Sequence, residues 1–346
     1  MNNQQTFHWT VDKNEENLKE NQGIIEAAHL LQQGEVIAFP TETVYGLGAN
    51  ALDEAAIAKI FIAKGRPNDN PLIVHIARRE QLNDLVQEPS EKARALIESF
   101  WPGPLTLIFK QTGSVAKNVT AGLDTVAVRM PDHPVAEALL LASDLPLAAP
   151  SANLSGKPSP TAAEHVWTDL QGRVVGIIDG GSTGVGLEST VLDVTGEIPI
   201  LFRPGGITKE AIESVVGPIQ VDPALKKDDQ APRSPGMKYT HYAPQGDLFL
   251  VSEKEEIQGY VDKWRLQGKM VGVLATEESK SNYEADVIIS CGSRANLASV
   301  ANQLYDALRA FDKKGVELIF AEIFSEEGIG LAIMNRLEKA SAGRIL

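Results

Sequence analysis

The sequence predicts two α/β domains, a large sheet domain followed by a small parallel α/β domain. Residues 21–210 alternate short apolar strand patterns with helical patterns, as expected when helices cover one large sheet. Residues 211–246 are rich in proline and lose this periodicity, so they are predicted to form a stiffened linker or lid. The alternation resumes in residues 247–346, and residues 1–20 are predicted to be a loosely held polar arm.

Local signals place the elements of the large domain. A helix over Ile24–Gln33 is predicted to end at Gly34, and a strand over Glu35–Phe39 is closed by Pro40. A second helix begins near Asp53, with apolar residues at helical spacing behind it. Further strands are predicted at Leu72–Ile76, Leu105–Phe109, Val126–Met130, Leu145–Ala149, Val174–Ile178, Thr190–Val194 and Ile200–Phe202. Further helices are predicted near Glu91–Phe100, Pro134–Ala142 and Ala162–Leu170.

The small domain shows the same alternation over a shorter span. Its clearest helix carries Leu297, Val300, Leu304, Leu308 and Phe311 at steps of three and four residues. Its strands are predicted at Asp247–Val251, Met270–Leu274, Val287–Ser290 and Leu318–Ala321.

Composition excludes several classes of protein. The formal net charge is −14, which argues against a general nucleic-acid coat or a protein that binds anionic membranes. The single cysteine, Cys291, cannot form an intrachain disulfide and is interpreted as an ordinary thiol. The polar N-terminus does not resemble a secretory signal, and no apolar run reaches the length of a membrane helix. The predicted location is the cytoplasm.

Several familiar catalytic motifs are missing from the sequence. It contains no P-loop pattern, no G-x-S-x-G elbow, no C-x-x-C and no histidine pair at metal-ligand spacing. Residues 46–51 fit a dinucleotide fingerprint, but five residues separate Pro40 from Gly46, whereas the fingerprint turn should leave the strand directly. Because the histidines and the cysteine lack metal-ligand spacing, a metal site made by the protein is not predicted.

Two polar clusters suggest a site for a polyphosphate. Residues 64–71, KGRPNDNP, present two cations and amides on a loop stiffened by proline, and residues 151–158, SANLSGKP, present hydroxyls, an amide and a further cation. Arginine binds phosphate bidentately, lysine acts as a point charge, and hydroxyls satisfy the remaining oxygens. Further polar residues follow or precede other predicted strands, as expected for a ligand site at the rim of an α/β sheet.

Six sequence blocks resemble one known family when taken together. PTETVYGLG, KGRPNDNPL, TVAVRMP, APSANLSGKPSPT, ESTVLD and RPGG are similar to the YrdC-like domain of L-threonylcarbamoyladenylate synthases. The resemblance covers roughly residues 22 to 210, and the segment SPGMKYTHYAP with the following domain resembles the long, two-domain form. It implies a twisted mixed-sheet YrdC-like domain followed by a small Rossmann-like domain.

The resemblance also implies an activity. The family condenses L-threonine, bicarbonate or CO₂, and ATP, giving L-threonylcarbamoyl-AMP and pyrophosphate. The product serves the transferase machinery that makes N6-threonylcarbamoyladenosine (t6A) at position 37 of tRNAs that read ANN codons. Mg²⁺ is expected to accompany ATP, and no organic cofactor or membrane partner is expected.

The matching motifs assign site residues by similarity. Residues implied to hold threonine are Thr43, His75, Arg129, Ala149 and Ser189. Residues implied to hold ATP are Arg66, Asn70, Thr125, Ser151, Ser159, Arg203 and Tyr242. The catalytic set implied by the two signature motifs is Lys64, Arg66, Ser151 and Asn153, with Lys64 and Asn153 flanking the phosphates.

Elementary chemistry agrees with this assignment. Arg129 can bind the threonine carboxylate as a bidentate fork. The amine must be neutral to react, so hydroxyl and carbonyl acceptors, from Thr43, Ser189 and the Ala149 backbone, suit it better than a carboxylate. The linker carries Arg233, Lys238 and Tyr242 and is predicted to cover the cleft, shielding a labile carbamate.

Two other functions stay open from the sequence. The same domain type occurs in carbamoyltransferases that use carbamoyl phosphate, although these carry additional zinc-finger-like cysteines. A non-enzymatic RNA-binding module is disfavoured by the net charge of −14 and by the lack of interleaved aromatic and basic residues.

Overall fold

The computed structural model describes residues 5–225 and 242–346, which form two compact units. The larger unit comprises residues 5–155, 160–184 and 188–225. The smaller unit comprises residues 242–346 together with the short segments 156–159 and 185–187. No helix among the described residues is long and apolar enough to cross a membrane.

The larger unit alternates strands and helices along the chain. Its strands are β1 (Phe7–Thr10), β2 (Ile37–Phe39), β3 (Gly46–Asn50), β4 (Ile73–His75), β5 (Leu105–Lys110), β6 (Thr125–Arg129), β7 (Leu147–Ala148), β8 (Gly176–Asp179), β9 (Thr190–Asp193), β10 (Ile200–Arg203) and β11 (Gln220–Val221). Its helices are α1 (Gln22–Gln32), α2 (Glu54–Lys64), α3 (Leu82–Leu85), α4 (Glu91–Phe100), α5 (Lys117–Thr120), α6 (Pro134–Ser143), α7 (Ala163–Leu170) and α8 (Lys209–Val216).

These strands form one 11-stranded mixed sheet in the order β1-β8-β2-β3-β7-β4-β6-β5-β9-β10-β11. Strand β6 pairs parallel with β4 and antiparallel with β5, which in turn pairs parallel with β9. Side chains of β2 alternate between two apolar cores, since Ile37 and Phe39 join one and Ala38 the other. The sheet is therefore covered on both faces, and the predicted large mixed-sheet domain is confirmed.

Two strands of the larger unit differ from the sequence prediction. The predicted loose arm contains β1, which pairs parallel with β8, and Thr6 Oγ1 donates a hydrogen bond of 2.8 Å to Val174 O. Residues 46–50, where the sequence analysis predicts no strand, form β3 antiparallel to β2. Gly48 fits there because the Phe39 ring lies where a side chain would go, 2.7 Å from an added Cβ. Glycine in this strand thus reflects close packing, not a flexible loop.

The start of the predicted linker is also ordered. Helix α8 covers Lys209–Val216, and β11 pairs parallel with β10. The predicted lid residues Arg233 and Lys238 lie outside the described residues.

The smaller unit is a parallel four-stranded sheet with helices. Its strands β12 (Asp247–Val251), β13 (Val271–Ala275), β14 (Val287–Ser290) and β15 (Leu318–Glu322) have the order β12-β15-β13-β14. Its helices are α9 (Ile257–Arg265), α10 (Leu297–Lys313) and α11 (Gly330–Ala340). Cys291 is buried, and burial raises the pKa of its thiol to about 12. The predicted small parallel domain is confirmed.

Helix α2 is fixed at both ends by its own sequence. The Asp53 side chain caps its N-terminus by accepting from the backbone N–H groups of Ala55 and Ala56, at 2.9 and 3.2 Å. Gly65 ends the helix in the left-handed conformation, at φ 61°, which favours glycine. Lys64 is therefore the last helical residue and Arg66 the first residue of the loop that follows.

We expect Asp53→Ala to lower the free energy of unfolding by about 1 kcal/mol, because two backbone donors lose their acceptor. Asp53→Asn keeps the acceptor oxygen and should stay near the wild type. Urea denaturation of the three proteins measures the difference, and equal losses in both variants would contradict a capping role.

Candidate functional site

The loop after β2 brings hydroxyl groups to the interior of the larger unit. Thr41 and Thr43 are buried, and their hydroxyl oxygens lie 2.8 Å apart. Thr41 Oγ1 also donates to Val44 O at 2.7 Å and accepts from the Thr43 N–H at 3.2 Å. This hydrogen-bonded turn fixes the direction of the Thr43 side chain.

Arg129, the last residue of β6, joins this loop to the sheet. Its Nη1 donates to Thr43 Oγ1 at 2.9 Å, and its Nη2 pairs with Glu42 Oε2 at 2.5 Å. The side chains of Arg129 and Glu42 are only 4% and 12% exposed, so the ion pair is shielded from solvent. The fork expected to bind a substrate carboxylate thus already has a carboxylate beside it.

His75 is the neighbour of Arg129 on the adjacent parallel strand, β4. Its Nδ1 lies 3.1 Å from Ile73 O, which also accepts from the Ala149 N–H at 2.9 Å. Burial, followed by the positive charge of Arg129, lowers the pKa of His75 from its ordinary 6.5 to about 3. His75 is therefore neutral near pH 7 and adds no charge beside Arg129.

Ser189 joins the group from the opposite side. Leu107 pairs with Val128 in antiparallel register, so Thr106 lies opposite Arg129. The hydroxyls of Thr106 and Ser189 are 2.7 Å apart, and Arg203 donates to Ser189 O at 3.0 Å and to Ser189 Oγ at 3.1 Å. Register and hydrogen bonds thus bring together all five residues predicted to hold threonine.

An apolar patch lies on the same face of the sheet. It consists of buried side chains from five strands, which are Ile73, Ile108, Ala127, Val191 and Phe202. Thr125 and Arg129 flank Ala127 at intervals of two residues, so all three point to this face. The site is consequently a sheet face, not only the rim that the sequence predicted, because Thr125 begins β6 and Arg129 ends it.

Lys64 connects the two signature motifs. Its ammonium group is buried and donates to Asn153 O at 2.8 Å and to Ser151 O. Ser151 Oγ donates to Asn153 Oδ1 at 2.6 Å, and the Ser155 N–H donates to Lys64 O at 3.0 Å. Lys64 therefore shapes the loop at residues 151–155, a role that the sequence did not predict.

The loop after α2 is organised by its own polar groups. Arg66 Nη2 donates to Asn70 O at 3.3 Å, and Asn70 is fully buried. The Leu72 N–H donates to Val119 O at 2.8 Å and anchors the end of the loop. Arg66 itself is half-buried and keeps part of its surface in contact with solvent.

Two predicted ATP residues lie in the smaller unit. Ser159 is buried there, next to Pro158, whose carbonyl accepts from Arg309 at 2.6 Å. The Tyr242 ring stacks on Tyr305 with centroids 5.3 Å apart. The assignment of ATP contacts to Ser159 and Tyr242 stays a prediction.

Comparison with known proteins defines the class first. Residues 29–205 match the Sua5/YciO/YrdC family model, described as "Telomere recombination", and residues 207–342 match the model for the C-terminal domain of threonylcarbamoyl-AMP synthase. The two matches together span most of the chain and place it among two-domain proteins of the Sua5 type.

Relatives and solved structures specify the family. The chain is 57% identical to threonylcarbamoyl-AMP synthase of Bacillus subtilis, over 99% of both chains. It is 50% identical to that of Pyrococcus abyssi, over 92% of this chain and 94% of the relative. It is similar to a crystal structure of P. abyssi Sua5 complexed with L-threonine, with a TM-score of 0.93, 47% identity and 99% of each chain covered. The chain belongs to the threonylcarbamoyl-AMP synthase family, whose members are nucleotidyltransferase-type enzymes.

Sequence reasoning missed three polar residues of this face. Glu42 and Thr41 stand in the PTETVYGLG block but received no role, and Thr106 is a polar residue inside the apolar strand Leu105–Lys110. A lone hydroxyl residue in a strand that is otherwise apolar could have signalled Thr106. The pairing of Glu42 with Arg129 joins residues 87 positions apart, so no local pattern reveals it.

The lowered pKa of His75 predicts a pH dependence of stability. Between pH 6.5 and 3 the unfolded chain binds a proton that the folded protein excludes, so unfolding becomes easier as the pH falls through this range. The contribution of His75 should approach about 1.4 kcal/mol per pH unit. This contribution to the pH dependence should be absent in His75→Gln. The contribution of His133 should remain, because burial lowers the pKa of His133 to about 4. Urea unfolding at pH 5 and 6.5 checks this, and equal pH slopes in both proteins would contradict it.

Proposed function

We propose that this protein condenses L-threonine, bicarbonate and ATP to L-threonylcarbamoyl-AMP and pyrophosphate. The observation that carries the proposal is the connected group of Thr43, His75, Arg129, Ala149 and Ser189 on one face of the sheet. Support comes from the similarity, over the whole chain, to a Sua5 whose structure contains L-threonine.

In this proposal Arg129 binds the threonine carboxylate. Its guanidinium is already oriented by Thr43 and by its strand position beside His75. Because His75 is neutral, the positive charge at this point comes from Arg129. The hydroxyl of Ser189 is held across the same face by Thr106 and Arg203.

The amine of threonine then attacks bicarbonate or CO₂, and a carbamate oxygen attacks the α-phosphorus of ATP with release of pyrophosphate. Arg66, Asn70, Ser151 and Asn153 bind the phosphates, and Lys64 holds the Ser151–Asn153 loop in shape while adding positive charge. Catalysis then consists of positioning and charge stabilisation, without a covalent enzyme intermediate.

Mg²⁺ is proposed to enter with ATP. The ion prefers oxygen ligands and usually keeps several water molecules while it binds phosphate oxygens. Within residues 5–225 and 242–346 no group of three or more His, Cys, Asp or Glu side chains is arranged so that it could hold a metal ion. The ligands of Mg²⁺ would accordingly be mainly phosphate oxygens and water, with hydroxyl and amide groups of the 151–153 loop nearby.

The product is proposed to serve tRNA modification in the cytoplasm. Threonylcarbamoyl-AMP is a mixed anhydride, so its carbonyl carbon is activated for transfer to an amine. The transferase machinery that makes t6A at position 37 of tRNAs reading ANN codons is the proposed recipient.

Pyrophosphate release tests the proposed function. Purified protein is incubated with ATP, Mg²⁺, L-threonine and bicarbonate, and each component is omitted in turn. Release should require both L-threonine and bicarbonate. Release that instead requires carbamoyl phosphate would point to carbamoyl transfer, and a folded protein that releases none would refute the synthase function.

Lys64→Met should lower the turnover number by about 100-fold or more, because a buried cation and its bonds to the 151–153 loop are lost. Lys59→Met is the matched control on the same helix, since Lys59 is 44% exposed and pairs with Glu35 at the surface. Steady-state pyrophosphate release measures both variants. Wild-type turnover in Lys64→Met would exclude Lys64 from the catalytic set.

A further inference from the structure

The Glu42–Arg129 pair contains two polar atoms that the described residues leave unsatisfied. Glu42 Oε1 and Arg129 Nε are buried, and neither has a hydrogen-bond partner. An unsatisfied buried donor or acceptor costs roughly 1–3 kcal/mol. Such groups in a folded protein call for an explanation, and a ligand that supplies one acceptor and one donor provides it.

The α-carbon substituents of an amino acid match these two atoms. A carboxylate can accept from Arg129 Nε, and an ammonium group can donate to Glu42 Oε1. The carboxylate and the ammonium group of an amino acid are bonded to the same carbon atom. Arg129 and Glu42 are likewise adjacent, since Arg129 Nη2 lies 2.5 Å from Glu42 Oε2.

Charge balance favours a Glu42 that stays in place when substrate binds. Arg129, Glu42 and a zwitterionic amino acid together carry no net charge. If Glu42 moved to solvent, the buried site would hold a net positive charge, and uncompensated buried charge is strongly unfavourable. Glu42 is also anchored through its backbone, because its carbonyl accepts from the Gly184 N–H at 3.1 Å.

The other acceptors on this face are already engaged or weakly basic. Thr43 Oγ1 accepts from Arg129, and Ser189 Oγ is bonded to Thr106 and Arg203. His75 is a poor base because burial lowers its pKa to about 3. Glu42 is the carboxylate that contacts Arg129, which makes it the best-placed acceptor for a proton from a bound amine.

We propose that the carboxylate of Glu42 binds the α-ammonium group of L-threonine and accepts its proton before the carbon–nitrogen bond forms. Threonine–NH₃⁺ and Glu42–COO⁻ become threonine–NH₂ and Glu42–COOH. The neutral amine and bicarbonate then give the carbamate and water, and Glu42 afterwards returns its proton to solvent. This inference rests on the proposed function and adds the group that frees the nucleophile. It also revises the sequence-based view that a carboxylate suits the amine poorly.

Calorimetric binding tests the ammonium contact without turnover. The ligands are L-threonine and the matching 2-hydroxy acid, which keeps the carboxylate but has no amine. Wild-type protein should bind L-threonine more tightly than the hydroxy acid. Glu42→Gln, which keeps the shape but not the charge, should weaken L-threonine about tenfold or more and should not weaken the hydroxy acid.

Three binding results would overturn the proposal. Equal affinity of the wild type for both ligands would show that the amine makes no charged contact, whatever the variants do. Tighter L-threonine binding by Glu42→Gln would show that Glu42 merely occupies the place of the substrate carboxylate. An equal loss for both ligands would show that Glu42 acts only through Arg129.

Turnover tests proton acceptance. At saturating L-threonine, Glu42→Gln should lower pyrophosphate release by about 100-fold or more, a typical loss for a general base. Glu42→Asp keeps the charge and should retain more activity than Glu42→Gln. Glu35→Gln is the control, because Glu35 forms a surface ion pair with Lys59. If the wild type is active and Glu42→Gln is equally active, proton acceptance by Glu42 is refuted while the proposed function stands. If the wild type is inactive, the proposed function itself is refuted.

Discussion

The buried contact of Arg129 with the loop at residues 40–45 is the interaction on which the candidate site depends. It crosses from the end of β6 to a turn that is also held by its own hydroxyl groups and by backbone bonds, such as those from the Gly184 N–H to Glu42 O and from the Tyr45 N–H to Pro160 O. Burial, and then the positive charge of Arg129, lower the pKa of the neighbouring His75 and keep that imidazole neutral near pH 7. Removing one partner of such a pair typically costs about 3–5 kcal/mol, since the remaining charge stays buried. Stability and the proposed binding of the substrate carboxylate consequently depend on the same guanidinium.

The contact of Lys64 with the loop at residues 151–155 stabilises the candidate site in a different way. Lys64 reaches the loop from the C-terminal end of a helix, where a cation is favoured by the helix dipole and the chain turns at Gly65. Its bonds go to backbone carbonyls of residues 151 and 153, so the cation determines a loop shape before any phosphate arrives. A loop shaped in advance loses less entropy when it binds a ligand. The preformed shape of this loop thus favours the proposed binding of phosphate groups.

Sequence reasoning succeeded where short-range patterns decide the structure. The strand at residues 72–76 and the helix beginning after Asp53 follow from apolar periodicity and capping, and both are present. It failed for β1, which becomes a strand by pairing with the distant β8, and for the glycine-rich β3, which pairs with the nearby β2 and with the distant β7. For the candidate site, the family motifs led to Arg129 and Thr43, but the pairing of Glu42 with Arg129 is revealed only by the structure. Arg129 ends β6 beside the start of the antiparallel β5 and so lies at the same edge of the sheet as Thr106, whereas Thr125 lies at the opposite end of β6.

The pairing of β1 with β8 has a consequence for synthesis of the chain. The hydrogen bond between Thr6 and Val174 spans 168 residues. At typical translation rates of about 5–20 residues per second, the first strand must wait roughly 10–30 s for its partner to leave the ribosome. Throughout that interval Phe7 and Trp9, which stack on each other in the finished sheet, have no strand beside them. Strand β1 is therefore made well before it can be fixed in the sheet, and a chain that ends before residue 176 cannot close this edge of the sheet.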